Sequence, residues 1–293
     1  MTNMVYEFPE LQGIMGCYYA KHDGESDEVA TAITEHYQPR FAQDDLPSSS
    51  VGLCIALADR IDTLVGLFGI GKIPTGDKDP FALRRQALAV LRILIEKRIK
   101  LDLQELFKES LETYQIQLKN PTEALLDFCF DRLRAWYSSQ SIPSKTFEAV
   151  LANRPTTPFD FHCRLEAVKT FQALPEAESL AAANKRVHKL LEKSANEQQT
   201  SELATIQESL LQESAEKALL SLLEIKESEV APLLEQADYS QTLKTLANLK
   251  EPVDTFFNEV MVMVDDNAVR TNRLQLLYRL RSLFLQVADV SLL

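Results

Sequence analysis

Three sets of residues in this 293-residue sequence have types and spacings that suggest chemistry. The first is the stretch FGIGKIPTGDKDPFALRR, residues 68–85. A phosphate-cradling loop of the form G-x-x-x-x-G-K-[ST] uses its lysine to neutralise phosphate and its hydroxyl to hold magnesium. Gly71 and Gly76 have that spacing, but Asp77 stands where the lysine belongs, and a carboxylate there repels phosphate. The stretch reads instead as a stiff, glycine-hinged turn that brings Arg84 and Arg85 to the head of a helix. Free N–H groups at a helix head favour anions. The two arginines there can meet an anion such as phosphate or, equally, pair internally with Asp59, Asp62 or Asp79.

The second set is His22, Asp23, His36 and Asp59, with Asp62 nearby. Imidazoles and carboxylates converging from several helices can hold one or two metal ions for phosphoester hydrolysis. The context is poor: Gly24 follows His22–Asp23 directly, and His36 shares a helix face with apolar residues. The third set is basic. Lys185 and Arg186 are adjacent, while Arg270 and Arg273 lie three apart on one helix face with Asn272 beside them. Guanidinium groups grip phosphates through two parallel hydrogen bonds; the competing reading is a solvated helix face laced by ion pairs. No GxSxG, HExxH or CxxC motif is present, so nothing marks a nucleophile.

These residues need elements to position them. All eight glycines lie between residues 13 and 76, and beyond that the sequence is continuous helical pattern punctuated by prolines. DEVATAITEHY carries a helical apolar face. SSSVGLCIALADRIDTLVGLF begins with serine caps, and PFALRRQALAVLRILIEKRI begins with Asp79 as N-cap and Pro80 in the first turn. Past Pro175 the segments EAESLAAANKRVHKLLEK, SELATIQESLLQESAEKALLSLLEIKESEVAPLL and NRLQLLYRLRSLFLQVADVSLL are long, amphipathic and rich in strong helix formers. A polar loop is expected over 194–203. No stretch alternates with a period of two. The predicted fold is all-α, in two domains, 1–174 and 175–293.

The net charge of −12 counts against a general nucleic-acid binder. Residues 72–100 are the exception, with eight basic residues against three acidic ones. Such a strip can meet phosphates while the remaining surface discourages loose binding. Cys17, Cys54, Cys129 and Cys163 are scattered and read as reduced thiols. No apolar run is long enough to span a bilayer and the N-terminus lacks a secretory pattern, so a cytoplasmic protein without membrane contact is expected.

Four segments, EFPELQGIMGCYYA, VATAITEHYQPRFAQDDLP, ALADRIDTLVGLFGIGKIPTGDKDPFALRRQALAVLRIL and PVDTFFNEVMVMVDDNAVRTNRLQLLYRLRSLFLQVADVSLL, resemble the C-terminal half of the β subunit of bacterial glycyl-tRNA synthetase. The resemblance spans nearly the whole sequence and enters the family's helical HD-like domain part-way. It implies that residues 1–174 are that HD-like domain, degenerate as a metal site, and that 175–293 are a helical anticodon-binding domain of the DALR type. It further implies an alpha2beta2 tetramer. In it the α subunit activates glycine with ATP and Mg, and the β subunit recruits tRNA(Gly). No catalytic residue and no cofactor are expected in the present segment.

On that resemblance, Arg84, Arg85, Lys185, Arg186, Arg270 and Arg273 are expected to hold phosphates, and Asn272 to bond a base edge. Glycine anticodons end in two cytosines, whose N4 amino groups donate to carboxylates. Asp265 or Asp266 is then a candidate reader, or both cap the final helix. Two other classes stay open at this point: a metal phosphohydrolase using His22, Asp23, His36 and Asp59, and a subunit-interaction scaffold that never touches RNA.

Overall fold

The computed structural model describes residues 3–197 and 206–293, with side chains from 5–194 and 206–293. Among them the chain is all-α, and the one β-type pairing is an isolated bridge between Thr75 and Lys78. Two compact units emerge. The first comprises residues 1–141 with 156–159, the second 142–155 with 160–293. The division expected at 174 therefore differs from the compact units, which place 142–155 and 160–174 with the C-terminal unit. Part of the polar loop expected over 194–203 is helical, up to Glu197, and the remainder lies outside the described residues.

The first unit contains α1 (Asn3–Glu7), α2 (Ile14–His22), α3 (Asp27–Glu35), α4 (Ser50–Gly69), α5 (Leu83–Glu96), α6 (Leu103–Thr113) and α7 (Thr122–Ser139). Helix α4 is its spine, packing on α3, α5, α6 and α7. Leu64, Val65 and Phe68 of α4 are buried with Leu91, Ile93 and Leu94 of α5, Phe107 of α6 and Leu126 and Phe130 of α7. Fully burying one such side chain contributes about 1.5–3 kcal/mol. The entry to α4 is fixed by a carboxylate. Ser49 caps it by accepting from the Gly52 N–H at 3.0 Å, and Glu35 accepts from the N–H and hydroxyl groups of Ser48 and Ser49. A side chain at Gly52 would collide with the Glu35 carboxylate, so this close approach needs glycine. Arg60, buried in α4, donates to the carbonyls of His36, Ala56, Tyr37 and Pro39.

Helix α5 starts later than its sequence suggests. Ala82 adopts a left-handed conformation at φ 53°, and the first helical residue is Leu83 rather than Pro80. Asp79 still caps the helix from upstream, accepting from the N–H groups of Leu83 and Arg84 at 2.8 and 2.9 Å. The carboxylate therefore occupies the helix head that was expected to attract an external anion.

The second unit contains α8 (Ser144–Leu151), α9 (Pro158–Gln172, entered from the first unit's residues), α10 (Ala177–Glu197), α11 (Ser214–Glu235), α12 (Tyr239–Ala247), α13 (Lys250–Glu259) and α14 (Asn267–Leu285). Of the amphipathic pattern beginning at Ser201, residues 201–205 lie outside the described residues, Glu208–Leu210 forms a short 3-10 turn, and α11 begins at Ser214. The chain is stopped before that by Glu216, whose carboxylate accepts from the N–H groups of Gln212 and Glu213 at 2.9 and 2.7 Å. The same carboxylate takes both Nε and Nη2 of Arg273 from α14, at 2.8 and 3.3 Å, in a fully buried pair. Arg273 also donates to the Met261 carbonyl at 2.9 Å. Near the C-terminus, Arg281 pairs with Asp289, which in turn accepts from Ser291.

Burial alone would raise the Glu216 pKa. The hydrogen bonds from Arg273 and the backbone outweigh it and hold the group below its ordinary 4.5. The folded state then binds this proton more weakly than the unfolded chain. Its stabilisation is complete above the unfolded value and is lost as pH falls through the lower folded value. Asp289 behaves the same way under Arg281 and Ser291. Removing one partner of a buried pair costs about 3–5 kcal/mol, so Glu216→Ala is expected to lower the urea midpoint of the second unit by a matching amount. In wild type, urea stability should decline as pH falls below about 4.5, the ordinary Glu value, and the decline should be shallower in Glu216→Gln; equal pH slopes in the two proteins would contradict the assignment.

Candidate nucleic-acid interface

In the second unit the seven residues singled out from sequence separate into exposed and internal groups. Lys185 and Arg186 are exposed on α10. Lys185 makes no ion pair with any described residue, and the Arg186 guanidinium lies 4.3 Å over the ring of Phe257 on α13. A guanidinium held over a ring keeps N–H donors free for other partners. Arg270, half-buried, donates to the Val264 carbonyl at 2.8 Å and to Asn267 at 2.9 Å. It thereby closes the loop leading into α14. Asp266 caps α14, accepting from the N–H groups of Ala268 and Val269, so the capping alternative holds for this residue. Asp265 beside it is exposed and caps nothing.

Asn272 and Arg273 are the internal ones. Asn272 is 2% exposed and exchanges hydrogen bonds with the Gln207 backbone at 2.8 and 3.1 Å. Arg273 is 3% exposed and consumed by Glu216 and Met261. Arg270 and Arg273 do lie only about 60° apart round the helix, but the second of the pair turns into the bundle, where Glu216 takes it. Neither Asn272 nor Arg273 presents a surface to RNA. Sequence reasoning missed Met261 and Met263, which are exposed in the loop before Asp265. The apolar run VMVMV beside two aspartates was their signal.

In the first unit, Gly76 and Asp77 sit at the tip of a two-residue hairpin turn closed by reciprocal hydrogen bonds between Thr75 and Lys78, with Gly76 at φ +51°. Arg84 donates to the Gly76 carbonyl and so braces the turn against α5. It pairs with none of Asp59, Asp62 or Asp79 as a side-chain ion pair. Arg85 is exposed, hydrogen-bonds to no described residue and borders an open cleft of about 680 Å³. Arg40, Phe41, Arg132 and Trp136 line the same cleft. None of these four was identified from sequence, because they lie 44 residues or more from Arg85 and carry no local motif.

His22, Asp23, His36 and Asp59 are not brought together. Among the described residues no group of three or more His, Cys, Asp or Glu side chains could hold a metal ion. His36 is hydrogen-bonded to the Ile33 carbonyl through Nδ1 and packs on Tyr37. Among the described residues the cysteines form no disulfide, and burial pushes the thiol of Cys129 up to about 12. No described helix is long and apolar enough to cross a membrane.

Residues 1–152, just over half of the sequence, match the family model described as glycyl-tRNA synthetase beta subunit. The chain belongs to that family. Within the glycyl-tRNA synthetase beta subunit family, residues 180–290 further match the DALR anticodon binding domain. Proteins named glycine–tRNA ligase beta subunit are similar over 100% of this chain: 52% identical in Marinobacter nauticus, 53% in Coxiella burnetii and 53% in Pseudomonas aeruginosa. The chain spans 42% of the length of each of these relatives. The anticodon-domain match encloses Lys185, Arg186, Asp265 and Arg270, and the first match encloses Arg84 and Arg85.

The buried and exposed arginines of α14 should separate in denaturation experiments. Arg273→Ala leaves Glu216 buried and unpaired, at a cost of about 3–5 kcal/mol. Arg270→Ala removes only part-exposed bonds and should stay within about 1 kcal/mol. Urea unfolding followed by circular dichroism measures both, and equal losses would contradict the assignment.

Proposed function

We propose that this chain is the tRNA-gripping part of an alpha2beta2 glycine–tRNA ligase of the cytoplasm. It performs no bond-breaking itself: it holds tRNA(Gly) by the anticodon stem-loop while the α subunit attaches glycine using ATP and Mg. The observation that carries this reading is the anticodon-binding domain match over 180–290, laid on a helical unit whose exposed cations include Lys185 and Arg186. Those two, with Arg270 at the loop, supply phosphate contacts. Asp265, exposed and free of capping duty, is the candidate acceptor for a cytosine N4 amino group. Bases of a loop are splayed and stacked when proteins read them, and the exposed Met261 and Met263 lie next to Asp265 in sequence. Arg85 is the proposed phosphate contact of the first unit, with Arg84 bracing the turn beneath it.

Phosphate contacts govern affinity for all tRNAs, while base contacts govern choice among them. In titrations of labelled tRNA at two salt concentrations, Lys185→Ala and Arg186→Ala should each weaken binding to every tRNA. Each should also flatten the slope of log K against log salt by about 0.7–0.9. Asp265→Asn should leave the salt slope unchanged and reduce discrimination between tRNA(Gly) and an anticodon-swapped variant by about 1–3 kcal/mol. Equal affinity of the wild-type chain for those two tRNAs would remove the reading.

A further inference from the structure

The cleft beside Arg85 is built from parts that the family match does not explain. Arg84, Arg85 and Leu88 come from α5, Arg132 and Trp136 from α7, and Arg40 and Phe41 from the segment between α3 and α4. Four guanidinium groups thus border one opening within the first unit. Arg40 is matched by Asp44 at 3.1 Å, and Arg84 is held by the Gly76 carbonyl. Arg85 and Arg132 have no ion pair among the described residues. The Nε–H of Arg132 is buried without any hydrogen-bond acceptor. A buried unmet donor on a charged group is costly, and such a group marks a place where a partner belongs. The Arg132 guanidinium is steadied instead by the Phe128 ring, 5.5 Å away.

The walls between these cations are not polar. Phe41 is 55% exposed, and Trp136 stands half-buried against Tyr137 at 4.9 Å between ring centroids. The volume of about 680 Å³ falls in the range of sites that enclose a small ligand. Aromatic plates beside unmatched guanidinium groups are the equipment for one kind of ligand: an unpaired nucleotide, with its base on a ring and its phosphate on the arginines. A base pair inside a duplex has no free face to offer. In a chain of net charge −12, a local group of this kind also selects against general polyanion attraction.

We infer that this cleft of the first unit binds an unpaired nucleotide of an RNA, stacked against Trp136 and Phe41 and held at its phosphate by Arg85 and Arg132. The inference rests on the tRNA-binding reading and adds a second, single-stranded contact separate from the anticodon-binding unit. Arg84 positions Arg85 by fixing the turn, and Arg40 contributes charge while remaining tied to Asp44.

Trp136 is the chain's single tryptophan, so its fluorescence reports on this cleft alone. The 293-residue chain is titrated with an unstructured eight-nucleotide RNA, a blunt RNA duplex of the same length, AMP, and the isolated anticodon stem-loop of tRNA(Gly). The single strand should quench Trp136 saturably and the duplex should not. Arg85→Ala, exposed and therefore safe for folding, should weaken the single-strand interaction about tenfold and reduce its salt slope by about 0.7. Trp136→Ala, followed by anisotropy of labelled RNA, should weaken it about five- to hundredfold, the range of one lost base stack. Trp136→Ala should leave stem-loop affinity unaltered. Single-strand quenching absent or unchanged in Arg85→Ala, with stem-loop binding intact, overturns the cleft and leaves the anticodon reading standing. Equal quenching by the duplex overturns the stacking, and equal affinity for AMP overturns the RNA. Loss of stem-loop binding by the wild-type chain overturns both readings.

Discussion

A buried carboxylate, Glu216, organises the C-terminal unit. It stops the chain ahead of α11 by accepting two backbone N–H groups, and it binds the guanidinium of Arg273 from α14. Arg273 then reaches the Met261 carbonyl. One ion pair thereby sets the start of α11, the rotation of α14 and the position of the loop that carries Met261, Met263 and Asp265. A hydrophobic contact would satisfy the packing but would not fix the loop, because dispersion has little directionality whereas a guanidinium offers five donors in a rigid fork. The proposed recognition surface is consequently a derived property of a buried charge that never meets RNA.

The N-terminal unit uses the same device with different partners. Glu35 receives Ser48 and Ser49 at the entrance to α4, and Arg60 collects the carbonyls of the chain that follows α3. Asp79 occupies the head of α5. At each of these points an irregular segment is tied to a helix by a charged side chain bonded to backbone groups. Segments without a ladder of their own must find such partners. These ties also determine which charges remain for a ligand: Arg60 and Arg273 are consumed, while Arg85, Arg186 and Lys185 are not.

Much of this was legible in the sequence. Leucine and alanine periodicity with proline punctuation gave the all-α class, since helix-forming preference summed over such long windows is informative. Family resemblance rested on long strings in order, and it holds. Two kinds of information were not legible. Helix starts at Leu83 and Ser214 depend on side chains reaching forward from Asp79 and back from Glu216, and an amphipathic pattern runs through such breaks without a mark. Exposure of individual residues on α14 was equally hidden: Arg270 and Arg273 satisfy the same spacing rule, yet Glu216, 57 residues away, claims one of them. The cleft residues Arg40, Arg85 and Trp136 belong to three separate segments, so no local motif could have grouped them. Asp265 and Asp266 looked interchangeable until one was found capping α14.

The seating of Arg186 on Phe257, 4.3 Å from its ring centroid, has a consequence for how a ligand would be met. A free arginine on a helix surface swings through many rotamers, and immobilising it on capture costs about 0.5–1.5 kcal/mol. Here part of that restriction has already been imposed by folding, because the contact with the ring holds the guanidinium in place. The side chain therefore arrives partly pre-aimed, and a lysine in its place would lose that directional constraint while keeping the charge.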